Sequence, residues 1–229
     1  MFNTIILLTG PVEEAALTAV LRSHNPQLAI LTVKSRAEIE GICPSVMQRA
    51  RLIAFVTPVV VPKRVLDCLG FGAYNFHPGP PQYPGWVPSH FATYDRATTF
   101  GVTAHVMVEK VDAGPIVGVN LFSIPPNTGT LGLEALAFSH LARLFWGLAR
   151  TLANQCEPLP ELPIRWGARR TTRRMYAAMC EIPLDISKDE LDRRVQAFGA
   201  GHFEIFPTLT LHGRQFSYTS PDVAAKAKI

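Results

Sequence analysis

The sequence predicts an α/β fold in which an open, mostly parallel sheet carries helices on both faces, followed by a short α+β extension. Two observations carry this prediction. Strand-like runs alternate with helix-like segments through the first two thirds of the chain, which is typical of strand–helix–strand crossovers. The first run, residues 3–9, is rich in Ile and Leu, as expected for a strand that is buried on both faces.

The first half of the chain carries signals for two helices and three further strands. After a Gly-Pro turn, two glutamates lie in the first turn of a helix that we expect to end near residue 23, because acidic groups there favour the helix dipole. Pro62 begins a short helix that ends near residue 69, since its fixed φ suits the first helical turn. The strands are expected at residues 28–33, 52–57 and 72–76, with a mixed helical or loop segment at 36–50.

The second half continues the alternation of strands and helices. A stiff, proline-rich loop over residues 78–88 precedes a helix at 89–97. Residues 101–109 alternate apolar and polar side chains, which indicates a strand, and residues 115–124 are its expected partner. A long amphipathic helix is expected at 130–154. Together these elements describe a Rossmann-like sheet.

A second proline-rich segment, residues 157–163, marks a change in composition. We therefore expect a main domain over residues 1–157 and an extension over 158–229. In the extension, Ser187 and Glu190 form a capping box at the start of a helix. Two strand-like runs then flank a glycine, which predicts a terminal hairpin whose edge could pair two copies of the chain into a homodimer.

Composition excludes several classes of protein. Of 229 residues, 48% are hydrophobic and 17% are charged, which is a globular balance rather than a disordered one. No secretory signal and no membrane-spanning run are visible, so we expect a cytoplasmic protein without membrane contact. The four cysteines lack the short spacing of zinc ligands, and no metal is expected. A net charge of +4 mildly favours an anionic partner, but nucleic-acid binders carry far more, so nucleic acid is not an expected partner.

Three polar residues are the candidate catalytic group. Asn75 and His77 are two apart at the end of a predicted strand, so their side chains point to the same face. Ligands of open α/β sheets bind beyond the carboxyl ends of the strands. Asp112 lies in the turn between the next two strands, and we expect it at the same edge if those strands are neighbours.

An amide, an imidazole and a carboxylate suit acyl transfer to an amine. Asn75 and a protonated His77 can donate hydrogen bonds to the negative oxygen of a tetrahedral adduct. Asp112 can accept the proton that the attacking amine loses. The residues alone leave plainer interpretations open: Asn75 satisfying backbone at a strand end, His77 packed in a loop, and Asp112 in an ordinary turn.

Four linked motifs occur in a fixed order around these residues. They read Asn75-Phe76-His77-Pro78, Tyr83-Pro84-Gly85, Gly101-Val102-Thr103-Ala104-His105 and Asp112-Ala113-Gly114-Pro115-Ile116. This series resembles the folate-dependent formyltransferase family, which carries N-x-H-P, a proline-rich loop, G-V-T-x-H and D-x-G-P-I in the same order. The resemblance is strong over residues 50–120 and loose elsewhere.

The resemblance implies transfer of a formyl group from 10-formyltetrahydrofolate to a primary amine by Asn75, His77 and Asp112. It also implies two donor-binding segments, with contacts from Thr57, Val59, Val61, Val108, Glu109 and Asp112. The expected acceptor-side residues are Tyr83, Trp86 and His105. Trp86 could instead fix its loop to the domain, and His105 could instead support packing.

The loop after His77 departs from the family pattern. The family commonly reads S-L-L-P with a basic residue before the final glycine, whereas this chain reads Gly79-Pro80-Pro81-Gln82 and has Pro84 at the basic position. A similar H-P-G-P-P loop occurs in formyltransferase-like domains of hydrogenase-maturation proteins. A different one-carbon carrier is therefore an open alternative.

The expected acceptor is a small molecule such as an amino sugar nucleotide. The glycine-rich phosphate loop of purine-pathway members is missing, and too few residues follow Pro183 for the terminal domain of methionyl-tRNA formyltransferases. The layout of Arg169-Arg170-Thr171 and the following helix resembles members that act on sugar-nucleotide amines. The same region contains a basic group of five arginines, namely Arg165, Arg169, Arg170, Arg173 and Arg174. This group could contact a diphosphate, or it could be part of a solvated linker.

Two other functions stay open from the sequence alone. A hydrolase would use the same three residues with water as the nucleophile and release formate from the folate donor. A non-catalytic folate-binding module would need no such group, and the presence of Asn75, His77 and Asp112 argues against it.

Overall fold

The computed structural model describes residues 2–202 and 204–219, and its main feature is a six-stranded sheet. The strands are β1 (Thr4–Leu8), β2 (Ala29–Val33), β3 (Ala50–Phe55), β4 (Ala73–His77), β5 (Thr99–Val106) and β6 (Ile116–Ser123). They lie in the order β2-β1-β3-β4-β5-β6. The first four strands are parallel, while β5 and β6 form an antiparallel pair beside β4. The predicted open, mostly parallel sheet is confirmed.

Eight helices and a small second sheet complete the described part of the chain. The helices are α1 (Pro11–His24), α2 (Arg36–Glu40), α3 (Pro44–Met47), α4 (Lys63–Leu66), α5 (Pro88–Tyr94), α6 (Thr130–Asn154), α7 (Arg173–Cys180) and α8 (Lys188–Phe198). The second sheet contains β7 (Glu181–Ile182), β8 (Thr208–Leu211) and β9 (Arg214–Ser217). Strands β8 and β9 form the predicted hairpin.

The apolar residues of the central strands are buried on both faces of the sheet, which explains their continuous hydrophobic sequence. Every residue of β1 and β3 is buried. On one face, alternate strand residues pack with α1 and α6, and Phe145 of α6 lies in T-shaped contact with Phe55 and Phe76. On the other face, α2, α3 and α4 contribute Ile39, Met47 and Val65 to a separate cluster. Helices therefore cover both faces, as the sequence predicts.

Several boundaries differ from the expectation. The segment 36–50 resolves into α2, α3 and the first residue of β3. The strand predicted at 101–109 ends at Val106, because the next residue, Met107, instead bonds through its N–H to the carbonyl of Ala73 and starts an irregular turn. Helix α7 lies in the arginine-rich stretch and was not predicted. Its N-cap is Thr172, whose side chain accepts a hydrogen bond from the N–H of Met175.

The extension packs against α5, the helix that follows the proline-rich loop after β4. Phe91 of α5, Tyr176 of α7 and Phe198 of α8 share one apolar cluster. A parallel bridge between Gly85 and Thr171 joins the proline-rich loop to the extension. The extension thus forms one wall of the site described below, while its division from a domain at residues 1–157 stays a prediction. Among the described helices, none combines the length and apolar character that crossing a bilayer requires.

Candidate active site

A cavity of about 670 Å³ opens beyond the ends of β3 and β4. Strand β4 is the point at which the sheet changes from parallel to antiparallel, because it pairs with β3 on one side and with β5 on the other. The cavity is lined by the segments that follow β3, β4 and β5, by the N-terminal half of α6, and by the start of the extension. This is the edge at which open α/β sheets bind ligands.

Strand β4 presents Asn75 and His77 to the cavity. The alternation of a strand sends both side chains to one face and sends Phe76, which is fully buried, into the core. Across the antiparallel pair, Asn75 is in register with His105 of β5, so these two side chains share the face. Asn75 Nδ2 lies 3.1 Å from His105 Nε2.

Asp112 reaches the same place from the turn between β5 and β6. Its φ is +46°, a left-handed conformation that aspartate and asparagine tolerate better than most residues. A Cβ at Gly114 would lie 1.9 Å from the carbonyl oxygen of Val106, so only glycine lets the turn pass this close to β5. Arg170 Nη2 donates to the Asp112 carbonyl at 2.8 Å, which ties the turn to the extension.

The Asp112 carboxylate is the centre of the group and is only 3% exposed. Its Oδ2 accepts a hydrogen bond from the Gly85 N–H at 2.8 Å and lies 3.5 Å from His77 Nδ1. Its Oδ1 lies 3.2 Å from His105 Nε2. The structure therefore brings Asn75, His77 and Asp112 together, with His105 as a fourth member between Asn75 and Asp112.

Backbone carbonyls determine which ring nitrogens face the carboxylate. His105 Nδ1 donates to the carbonyl of Val106 at 2.8 Å, and His77 Nε2 donates to the carbonyl of Tyr83 at 3.1 Å. A carbonyl can only accept, so both of these nitrogens carry protons. His105 Nε2 and His77 Nδ1 are left facing Asp112.

The electrostatics favour an ionised carboxylate beside a neutral His77. Burial by itself would raise the pKa of Asp112, but the nearby His77, the contact with His105 and the hydrogen bond from Gly85 outweigh it and lower the pKa to about 2. Burial is the largest influence on His77 and lowers its pKa, and Asp112 opposes this only in part. At neutral pH the group thus holds a negative charge at Asp112.

The unusual loop after β4 supports the His77 ring. A Cβ at Gly79 would lie 2.6 Å from His77 Nε2 and 2.7 Å from the ring of Pro88, so a side chain there would displace the imidazole. The Gly79 carbonyl accepts a hydrogen bond from Thr103 Oγ1 at 2.8 Å. Glycine at position 79 therefore leaves the room that the imidazole of His77 needs.

The two segments expected to bind the donor both line the cavity. All the residues named for this role line it: Thr57, Val59, Val61, Val108, Glu109 and Asp112. Trp86 and His105 line it as well. The side chain of Tyr83 is not among the lining residues and packs instead near Phe100, with ring centroids 6.1 Å apart. Tyr83 reaches the site only through its carbonyl, and the binding roles of all these residues stay predictions.

The five arginines of the basic group in the extension do not all lie at the cavity. Arg170 lines the cavity, whereas Arg169 is exposed and forms an ion pair with Asp95 at 2.9 Å. Three others are exposed, namely Arg165, Arg173 and Arg174. The sequence analysis missed Glu134 and His202, which also line the cavity and lie in segments without a recognisable motif.

Comparison of this chain with known proteins found similar formyltransferases. No protein-family model matches the sequence. A methionyl-tRNA formyltransferase of Listeria monocytogenes is 30% identical over 161 residues, which are 69% of this chain and 49% of that protein. A sugar N-formyltransferase structure from a Shewanella species has a TM-score of 0.79 at 16% identity and covers 96% of this chain and 97% of that chain. Sequence and fold therefore relate the chain to the folate-dependent formyltransferases.

The sequence match covers only part of these relatives, whereas the fold match covers nearly all of this chain. The chain spans about half the length of the methionyl-tRNA formyltransferases that it matches. A Helicobacter canadensis N-formyltransferase in complex with folinic acid and dTDP-3-aminofucose shares the fold, with a TM-score of 0.65 at 16% identity over 93% of this chain and 85% of that chain. The formyltransferase fold is thus present over nearly the whole chain.

Proposed function

We propose that this chain transfers a formyl group from 10-formyltetrahydrofolate to the primary amine of a small acceptor such as an amino sugar nucleotide. The observation that carries the proposal is the convergence of Asn75, His77 and Asp112 on one wall of a single cavity. These residues supply an amide donor, an imidazole and an ionised carboxylate, which direct acyl transfer to an amine requires.

The cavity suits a folate donor. Irregular backbone segments at residues 57–61 and 107–111 both contribute to its lining, with valine side chains from each segment and Met107 from the second. Apolar walls with a few polar groups at the edge are typical of sites for flat heterocycles. When bound there, the donor supplies the formyl carbon that the amine attacks.

Asn75 is the group best placed to stabilise the negative oxygen that develops in this reaction. Its amide has two N–H groups, and the contact with His105 uses only one direction. The other can point into the cavity and donate to the oxyanion. A donor of this kind lowers the barrier by about 3–4 kcal/mol.

Asp112 and His77 manage the proton of the attacking amine. Asp112 is ionised at neutral pH and can accept this proton directly or through a water. His77 Nδ1, 3.5 Å away, can take up this proton and, once protonated, donate to the oxyanion. When the adduct collapses, the bond between the formyl carbon and N10 of the donor breaks, and the same proton can pass to that nitrogen, so that tetrahydrofolate leaves. The hydrogen bond to the Tyr83 carbonyl keeps His77 Nε2 out of this exchange.

The acceptor end of the cavity favours an anionic amine. Arg170, Thr172 and Trp86 line the wall formed by the extension and the proline-rich loop. An arginine and a threonine suit phosphate oxygens, and an indole suits a base or sugar ring. The Helicobacter neighbour, whose structure contains a sugar nucleotide, supports the same class of acceptor.

Release of tetrahydrofolate tests the proposal. The full chain is mixed with 10-formyltetrahydrofolate, with and without an amino sugar nucleotide. Release that depends on the amine supports a transferase, release in buffer alone indicates a hydrolase, and saturable binding without release indicates a binding module. His77→Gln should abolish most of the amine-dependent release, and His24→Gln, at an exposed histidine outside the site, should not.

A further inference from the structure

A second cluster of titratable side chains lies at the α6 end of the same cavity. His90 belongs to α5, Glu134 belongs to α6, and His202 follows α8. One ligating atom from each lies within 4.8 Å of the other two. Glu134 and His202 also line the cavity, but none of the three takes part in the proposed formyl transfer.

The tautomer of His90 is determined by its backbone partner. The side chain is fully buried, and its Nδ1 donates to the carbonyl of Ala197 at 2.8 Å. Because Nδ1 carries the proton, Nε2 of the neutral ring offers a lone pair toward the cluster. Histidines that bind metals usually make this second contact, which orients the ring and increases its basicity.

Nε2 of His90 meets an acceptor instead of a donor. It lies 3.3 Å from Glu134 Oε1, yet it has no hydrogen-bond partner among the described residues. The Tyr176 hydroxyl, whose ring packs 5.2 Å from that of His90, is a second buried polar atom without a hydrogen bond in the described structure. Such orphaned groups point to a missing polar occupant.

The spacing of the cluster suits a metal ion. Ligand atoms that lie about 2.0–2.1 Å from one tetrahedral ion are about 3.3 Å apart. The His90–Glu134 contact has this length, and His202 lies close enough for a small side-chain shift to complete the set. Two imidazoles and one carboxylate with an open position are a ligand set that binds zinc-class ions.

We infer that His90, Glu134 and His202 form a binding site for one divalent transition-metal ion of the zinc class. The ion would bridge α5, α6 and the segment after α8, and its open position would face the cavity. Such an ion would give a partner to His90 Nε2, which has no hydrogen bond in the described structure, and to Glu134 Oε1 beside it.

Cobalt is the probe, because its visible absorption reports the coordination geometry. The same spectrum distinguishes cobalt bound by thiolates from cobalt bound by nitrogen and oxygen ligands. The full chain is stripped with a chelator, its exposed cysteines Cys43, Cys68 and Cys156 are alkylated, and Co²⁺ is titrated. The proposal predicts one bound ion per chain with the absorption of a nitrogen–oxygen site, displaced by Zn²⁺. Glu134→Gln and His202→Asn should each weaken binding by at least about tenfold.

A matched control and a fold check make the outcome decisive. His24→Asn removes an exposed histidine outside the cluster and should leave Co²⁺ affinity unchanged. Circular dichroism confirms that each variant is folded. A folded wild-type chain that binds no Co²⁺ or Zn²⁺ overturns the proposal, as does binding that Glu134→Gln and His202→Asn leave unaffected. Because the readout is metal binding, failure here is distinct from failure of the proposed formyl transfer.

Discussion

Asp112→Asn is the substitution that removes the proposed base while preserving its surroundings. Asparagine tolerates the left-handed φ of +46° at this position, and its side chain has nearly the same shape. Its amide oxygen can still accept from the Gly85 N–H, and its amide nitrogen can donate to His105 Nε2. The site geometry should therefore persist, and the carboxylate charge is what changes.

The expected effect is a fall in kcat of about 10²- to 10⁴-fold, which is the usual contribution of a positioned general base. In barrier height this is about 3–5 kcal/mol. Donor affinity should change little, because the apolar walls of residues 57–61 and 107–111 are untouched. The effect should thus appear in kcat and leave the Kd for the donor near its wild-type value.

Two assays separate these quantities. Amine-dependent release of tetrahydrofolate gives kcat, and quenching of tryptophan fluorescence gives donor binding, since Trp86 lines the cavity and Trp166 lies 5.0 Å from His105 between ring centroids. Asp67→Asn, at an exposed aspartate on the surface, is the matched control. An Asp112→Asn variant that binds donor and retains the kcat of the control would refute the assignment of Asp112 as the base.

Four further predictions follow from the structure. Asn75→Ala should lower kcat by about 10²- to 10³-fold with donor affinity retained, measured in the same two assays. The lowered pKa of Asp112 contributes about 2 kcal/mol to folding that is present above pH 4 and is lost as the pH falls toward 2, so denaturant unfolding across this range should show a loss that Asp112→Asn lacks. Gly114→Ala should destabilise the chain by about 1–3 kcal/mol in thermal or urea unfolding, because its Cβ meets the backbone of Val106. Gly147→Ala, in an exposed part of α6 with open space around it, should instead stabilise the chain by about 0.5–1 kcal/mol.

Local sequence signals were sufficient to predict most strands of the main sheet and the helices beside it. The continuous apolar run of β1 and the long periodic pattern of α6 depend on burial alone, so they could be located from residues 3–9 and 130–154. The shared face of Asn75 and His77 was also predictable, because side chains alternate along a strand. The position of Asp112 was not, because β5 runs antiparallel to β4 and ends beside Tyr74, so the following turn must fold back to reach His77.

The remaining features depend on tertiary contacts that no local pattern encodes. His90 and Glu134 are separated by 44 positions along the chain (90 to 134), and His202 by a further 68 (134 to 202), so no spacing relates them. Strand β7 exists only because β8 pairs with it. Tyr83 carried a family motif, but its backbone rather than its side chain faces His77.

The central claim is that Asn75, His77 and Asp112 pass a formyl group to an amine within this one cavity. Its most direct measurement follows an isotope-labelled formyl carbon from 10-formyltetrahydrofolate through a single turnover, with enzyme in excess and an amino sugar nucleotide present. The label should appear in an N-formyl amide on the acceptor with the wild-type chain and remain in the donor with Asp112→Asn. Label recovered as free formate, or an equal rate of amide formation by Asp112→Asn, would contradict the account.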